Sequence, residues 1–94
     1  MMVKWTEAAL VDLDGILTYT AKNYPSAIVP LEGRIRAVVE RVGRWPVSAR
    51  LVEQRPDVRV VPLLRYPYVM FYRVLEDHVE ILHIHHAARQ ERET

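Results

Sequence analysis

The sequence predicts an α+β fold in the order β-α-α-β-β-β, a helical hairpin packed on an antiparallel sheet. Three observations carry this expectation. Apolar residues recur at helical spacing in two stretches of the first half, joined by a short link around Pro25. The second half holds three β-prone runs separated by short polar turns. The chain is 94 residues long and half hydrophobic, which suits one core and one domain, residues 1–94.

The first segment, Val3-Lys4-Trp5, is short and β-prone. Thr6 offers a hydroxyl cap, and Glu7 falls in the first turn, where a negative charge suits the helix dipole. Ala9, Leu13, Ile16, Leu17 and Thr20 then follow helical spacing, with Asp12, Asp14 and Lys22 largely on the other side. The first helix should run from about Glu7 to Asn23, because Tyr24 precedes Pro25 and a residue before proline avoids the α region.

In the second helix Leu31, Ile35, Val38, Val39 and Val42 form the apolar stripe, and Arg34, Arg36, Glu40 and Arg41 fill much of the rest. Either Ser26 caps it or Pro30 occupies its first position. Gly43 is a candidate C-cap, and Trp45-Pro46 breaks the helix.

Leu51-Val52-Glu53 reads as a short extended piece and Arg55-Pro56-Asp57 as a turn. Strands are expected at Val58–Leu64, Tyr68–Leu75 and Val79–His86. Their links, Arg65-Tyr66-Pro67 and Glu76-Asp77-His78, are short enough to make neighbours antiparallel. Pro62 cannot donate to a ladder, which places its strand at an edge or a bulge. The middle run is apolar on both faces and should be central. The tail Gln90–Thr94 is polar and should fray.

Composition narrows the function. The sequence has no cysteine, so disulfides, thiolate metal sites and thiol nucleophiles are excluded. No apolar run approaches the roughly 18 residues of a membrane span, and Met1–Leu10 has no secretory pattern, so a cytoplasmic protein is expected. The net charge of +1 lacks the excess usual in a polyphosphate-gripping protein. A chain this short buries only about 60% or slightly more of its unfolded surface, so a partner would add much of its stability.

The densest polar cluster is His83, His85, His86 and Arg89. On a strand, His83 and His85 share one face, while His86 joins Leu82 and Ile84 on the other. The pair could donate two ligands to zinc or nickel, with a third from His78 or a carboxylate. It could serve acid–base chemistry, or it could be the polar face of a half-buried sheet. Arg59, Arg65, Arg73 and Arg89 converge on one face if the register allows, where they could meet a phosphate or the carboxylates of an acidic peptide, or simply solvate the surface. Arg34, Arg36, Arg41 and Arg44 read as a solvated helix face. Tyr66, Tyr68 and Tyr72 read as structural rings with wet hydroxyls. There is no Gly-rich phosphate loop, nucleophile elbow or zinc-knuckle spacing, and no cofactor is expected.

Three blocks of sequence together resemble ParE-type toxins of the ParE/RelE superfamily. They are Val3-Lys4-Trp5-Thr6 with Ala9-x-x-Asp12-Leu13-x-x-Ile16-x-x-Tyr19, then Val42-x-x-Trp45-Pro46 with Arg50, and finally Tyr68–Val74 with Val79-Glu80-Ile81-Leu82-x-Ile84-x-His86-x-x-Arg89. The resemblance implies a type II toxin neutralised by a ParD-like antitoxin, assembled as a heterotetramer and touching DNA only through that antitoxin. It further implies DNA gyrase as the target. Antitoxin contact is expected at Arg65, Tyr68, Arg73, His85 and Arg89, on a sheet face left open for another polypeptide. The alternative is the RelE branch, a ribosome-dependent mRNA endoribonuclease. That branch typically has Arg after the tyrosine that opens the third strand, where this chain has Val69. It also uses a basic residue at the end of the last strand, which Arg89 matches, and an aromatic acid–base group a few residues later. Gln90–Thr94 supplies no Tyr or His. No catalytic residue is therefore assigned.

Overall fold

The computed structural model describes residues 1–88; Arg89 and the expected frayed tail lie outside them. The elements are β1 (Met2–Trp5), α1 (Glu7–Asn23), a 3-10 turn (Pro25–Ala27), α2 (Ile28–Arg44), β2 (Arg50–Val52), β3 (Arg55–Pro62), β4 (Tyr68–Val74) and β5 (His78–His86). They form two helices against one five-stranded sheet of order β1-β5-β4-β3-β2. The fold class is therefore the expected one, and β4 is central as its two apolar faces require.

Four local features differ from the sequence reading. β1 pairs with β5 in parallel, Met2 opposite His78 through Trp5 opposite Ile81, so the sheet is mixed rather than wholly antiparallel. The segment Arg55-Pro56-Asp57 is not a turn: β3 already begins at Arg55, and the chain reverses at Glu53-Gln54. α2 starts at Ile28, before Pro30, which is tolerated because the amide groups of a first helical turn have no intrahelical partner. Gly43 lies inside α2 rather than capping it. A Cβ there would approach the Met1 carbonyl oxygen to 3.0 Å and Val3 Cγ2 to 3.1 Å, so glycine permits the close passage of β1 over the helix end. The Met1 amino group donates to the Gly43 carbonyl at 2.7 Å.

The Pro62 expectation holds locally. β2 reaches β3 only as far as Val60, opposite Arg50, so Pro62 has a strand neighbour on the β4 side alone.

The main core lies between the helices and one sheet face. Leu31, Ile35, Val38 and Val42 of α2 meet Met70, Tyr72, Val79, Ile81 and Ile84 there, with Ala9 of α1 and Leu63. The other face carries a smaller cluster, Val52, Val58 and Val60 with the partly buried Val69, Phe71 and Leu82. Among the described residues that face is thus buried at its β2–β3 end and partly buried toward β4–β5.

The loop after α2 is pinned to the sheet. Buried Tyr72 donates its hydroxyl to the Pro46 carbonyl at 2.7 Å, and the Arg59 guanidinium donates to the carbonyls of Val47 at 3.1 Å and Ala49 at 2.7 Å. Among the described residues no helix is long and apolar enough to cross a membrane.

Candidate functional site

The site begins where β1 ends. β1 covers the β5 edge only up to Ile81, and the strand continues to His86. An uncovered edge exposes unpaired backbone groups, and Thr6, the cap of α1, and Asp12 within α1 take over this role. Thr6 N–H donates to the Ile81 carbonyl at 3.1 Å. Its Oγ1 lies 2.9 Å from the Ile81 carbonyl oxygen and 3.2 Å from that of Leu82, and accepts the Ala9 N–H at 3.1 Å as the helix cap. Further along, Asp12 Oδ2 accepts the Ile84 N–H at 3.1 Å. A helix advances about 9 Å over six residues and a strand about 3.3 Å per residue, so Thr6 and Asp12 are spaced to reach two or three strand residues apart.

A bulge in β5 sets which side chains face which way. Ile81 pairs with Tyr72 and His83 with Phe71, which leaves Leu82 as the extra residue. Ile81 and Ile84 both enter the main core, while Leu82 joins the cluster on the opposite face. Strict alternation would have put Leu82 on the side of Ile84, and the inserted residue overturns that expectation. His83 and His85 share the face of Phe71 and Val69, their cross-strand partners.

The two imidazoles meet at the capped edge. His83 Nδ1 lies 3.0 Å from Asp12 Oδ2, His85 Nε2 lies 4.0 Å from the same oxygen, and the ring centroids are 4.8 Å apart. His85 also stands edge-on to Phe71, at 5.6 Å between centroids. His78 is at the other end of β5, against Asp77 at 2.7 Å, where its hydrogen bond and charge hold the Asp77 carboxyl below the usual range. Among the described residues the carboxylate that meets the histidine pair is therefore Asp12, and His78 is not brought to it.

Beside this edge runs a trough. One part, 340 Å³, is lined by Val11, Asp12, Gly15, Tyr19, Tyr68 and His85 among others. The adjoining part, 440 Å³, shares Tyr19, Tyr68 and His86 and adds Tyr24, Tyr66 and Pro67. Tyr68 packs its ring against His86 at 5.8 Å, and burial followed by the neighbouring Tyr19 raises its phenol above the ordinary value. The helix wall is apolar where water would be expected: Val11 and Tyr19 are 65% and 55% exposed, and Leu10, outside the trough on the same helix, is 50% exposed. Only Ala9 and Thr20 of α1 are fully buried. A second concave surface, 510 Å³ between α2 and β3, is lined by Arg34, Arg41 and Arg50 with Val38, Val60 and Leu64 among others.

Of the residues expected at a protein contact, Tyr68 and His85 line the trough. Arg65 sits in the adjoining turn with a left-handed φ of 77°, a conformation uncommon for a residue other than glycine. Arg73 lies elsewhere, on the face of His85 but near the far end of the β4–β5 ladder, paired with Glu80 at 2.8 Å and Asp57 at 3.9 Å. Arg59 pairs across the ladder with Tyr72 and turns to the 47–49 loop, so Arg59, Arg65 and Arg73 do not converge; Arg89 lies outside the described residues. Sequence reading puts Asp12 on the side of the first helix away from the apolar stripe and does not reveal its strand partner, nor does it single out the outward row Val11, Gly15, Tyr19. The i, i+4, i+8 spacing of that row was the available signal.

The family described as "ParE toxin of type II toxin-antitoxin system, parDE" matches residues 3–91. The protein Y4kP of Sinorhizobium fredii, which carries a provisional toxin name, is 35% identical over 94% of this chain and 90% of its own length. Toxin RelE2 of Caulobacter vibrioides is 34% identical over 93% of this chain and 96% of its own. A solved chain of the chromosomal ParDE system from P. aeruginosa superposes with a TM-score of 0.78 at 28% identity, over 92% of this chain and 95% of that one.

Proposed function

The chain belongs to the ParE toxin family of type II toxin–antitoxin systems, and from that premise we propose that a ParD-like antitoxin holds it inactive and that the released toxin inhibits DNA gyrase in the cytoplasm without cleaving RNA. The observation that supports antitoxin docking is the apolar outer face of α1. A helix that fully buries only two residues and exposes Leu10, Val11 and Tyr19 gains stability from a partner laid along it. An amphipathic antitoxin segment fits this surface by seating apolar side chains between α1 and the β5 edge. Its acidic groups then meet Arg65 in the turn beside the trough; Arg89, outside the described residues, is the other cation proposed for this contact. Tyr68 and His85 are direct contacts in this reading, and Arg73 is a peripheral one.

The gyrase target rests on the family resemblance and on Val69, which stands where the nuclease branch has arginine. Purified gyrase relaxing and supercoiling a plasmid in the presence of the toxin tests it. Inhibition that is reversed by the antitoxin is expected, and unaffected gyrase at large toxin excess overturns the target. One observation favours ribonuclease chemistry instead: His83 and Asp12 form a hydrogen-bonded pair at an accessible edge, a geometry suited to proton transfer. Messenger cleavage in a translation extract, lost in His83→Ala, selects that second reading.

A further inference from the structure

The geometry points to a divalent transition-metal site, suited best to zinc, formed by Asp12, His83 and His85 at the α1-capped edge of β5. The site goes beyond the toxin reading and does not depend on it. One ligand atom from each residue can be chosen so that all three lie within 4.8 Å of one another. Tetrahedral zinc with bonds of about 2.0–2.1 Å places its donors roughly 3.3 Å apart. Asp12 Oδ2 and His83 Nδ1 are already 3.0 Å apart, and His85 Nε2 is 4.0 Å from that oxygen. Small rotations of two imidazoles close the remaining gap.

The donors suit the ion. Two imidazoles and one carboxylate match zinc, nickel and copper, whereas calcium and magnesium favour all-oxygen sets. The carboxylate neutralises half of the ion's charge. It is also held in place by the Ile84 N–H at 3.1 Å, the kind of outer hydrogen bond that orients a metal ligand. On the other side His85 is braced by Phe71. The side chains are 25%, 41% and 22% exposed for Asp12, His83 and His85, which admits an ion from solvent while the surroundings limit their rotamers. Three protein ligands leave one position open toward solvent, for water or for a donor from another molecule.

Binding joins residues 71 positions apart in sequence, so an ion clamps α1 to β5 and stabilises the folded chain. The His83–Asp12 contact gives way to two metal bonds, and Asp12 Oδ2 has a further lone pair for the Ile84 N–H. The bulge at Leu82 is what makes this possible, since it turns His83 and His85 together out of the core.

The test is titration of the tag-free full chain with zinc chloride by calorimetry, alongside nuclear magnetic resonance of its histidine rings. Saturable binding of one ion per chain is expected, with the ring signals of His83 and His85 shifting and those of His78 unmoved. His83→Gln, His85→Gln and Asp12→Asn should each weaken binding about tenfold or more; Asp12→Asn retains an acceptor for Ile84. His78→Gln should bind as the unaltered chain does. Zinc that fails to saturate the chain, or binding that shifts His78 or His86 alone, overturns the site, and the resonance readout decides this without any variant.

Discussion

The hydroxyl of Tyr72, in the central strand, donates to the carbonyl of Pro46, 26 residues earlier, at 2.7 Å. The ring is fully buried in the main core, so its one polar atom finds its acceptor in the loop that leaves α2. Arg59 fastens the same loop one and three residues on, at Val47 and Ala49. Tyr72→Phe keeps the packing and orphans one carbonyl. Urea unfolding should show a loss of about 1–2 kcal/mol with little change in the denaturant slope.

The same phenol gives an alkaline limit. Burial raises the Tyr72 pKa above its ordinary value, against the opposing charge of Arg59. A group whose folded value is raised contributes stability that is fully present below the unfolded value of about 10 and lost as pH climbs through the folded one. Melting temperature should therefore fall above about pH 10, more steeply in the unaltered chain than in Tyr72→Phe. Tyr68 is shifted the same way, so the double Phe variant should be flatter still.

Gly43 offers a test of the β1 crossing. In an open helix interior Gly→Ala stabilises by about 1 kcal/mol. Here the added methyl meets the Met1 carbonyl at 3.0 Å and Val3 at 3.1 Å. Gly43→Ala should show no gain, and Gly43→Val a loss of about 1–3 kcal/mol, by thermal or chemical melting. A clear rise in stability for Gly43→Ala would mean that β1 yields.

Asp12 holds both the Ile84 amide and the His83 ring. Asp12→Ala leaves that strand amide without its partner and should cost about 1–3 kcal/mol, whereas Asp12→Asn should retain most of it. Amide hydrogen exchange at Ile84 reads the effect directly, with faster exchange expected in the alanine variant.

Tyr19→Glu places a charge in the middle of the trough without touching the core, since Tyr19 is 55% exposed. Antitoxin affinity should fall about tenfold or more with the melting temperature nearly unchanged. Arg73→Ala, remote from the trough and already engaged by Glu80, should alter affinity far less. The reverse ranking would move the docking surface along the β4–β5 ladder to the end that holds Arg73 and Glu80.

Much of the fold was legible because its signals are local. The stripe Leu31, Ile35, Val38, Val42 reappears as the buried face of α2, and the Thr6 cap stands at the start of α1 as its hydroxyl suggests. The parallel pairing of β1 was not legible, because nothing within four residues specifies a partner more than seventy positions away. Asp12 was hidden for the same reason. On a helical wheel it is one of several charged residues, and only the ending of β1 at Trp5 gives it a backbone amide to meet. The arginines failed as a group because their sidedness depends on register: one ladder step separates Arg59 toward the helices from Arg73 toward the opposite face.

Leu82 gives β5 two incompatible parity rules, one before it and one after. Removing that one leucine would not trim the strand so much as invert its second half, driving His83 and His85 inward and Ile84 out into water. The edge chemistry of this protein is therefore hostage to a single residue count, and any working variant of β5 must keep the odd residue or relocate the histidines.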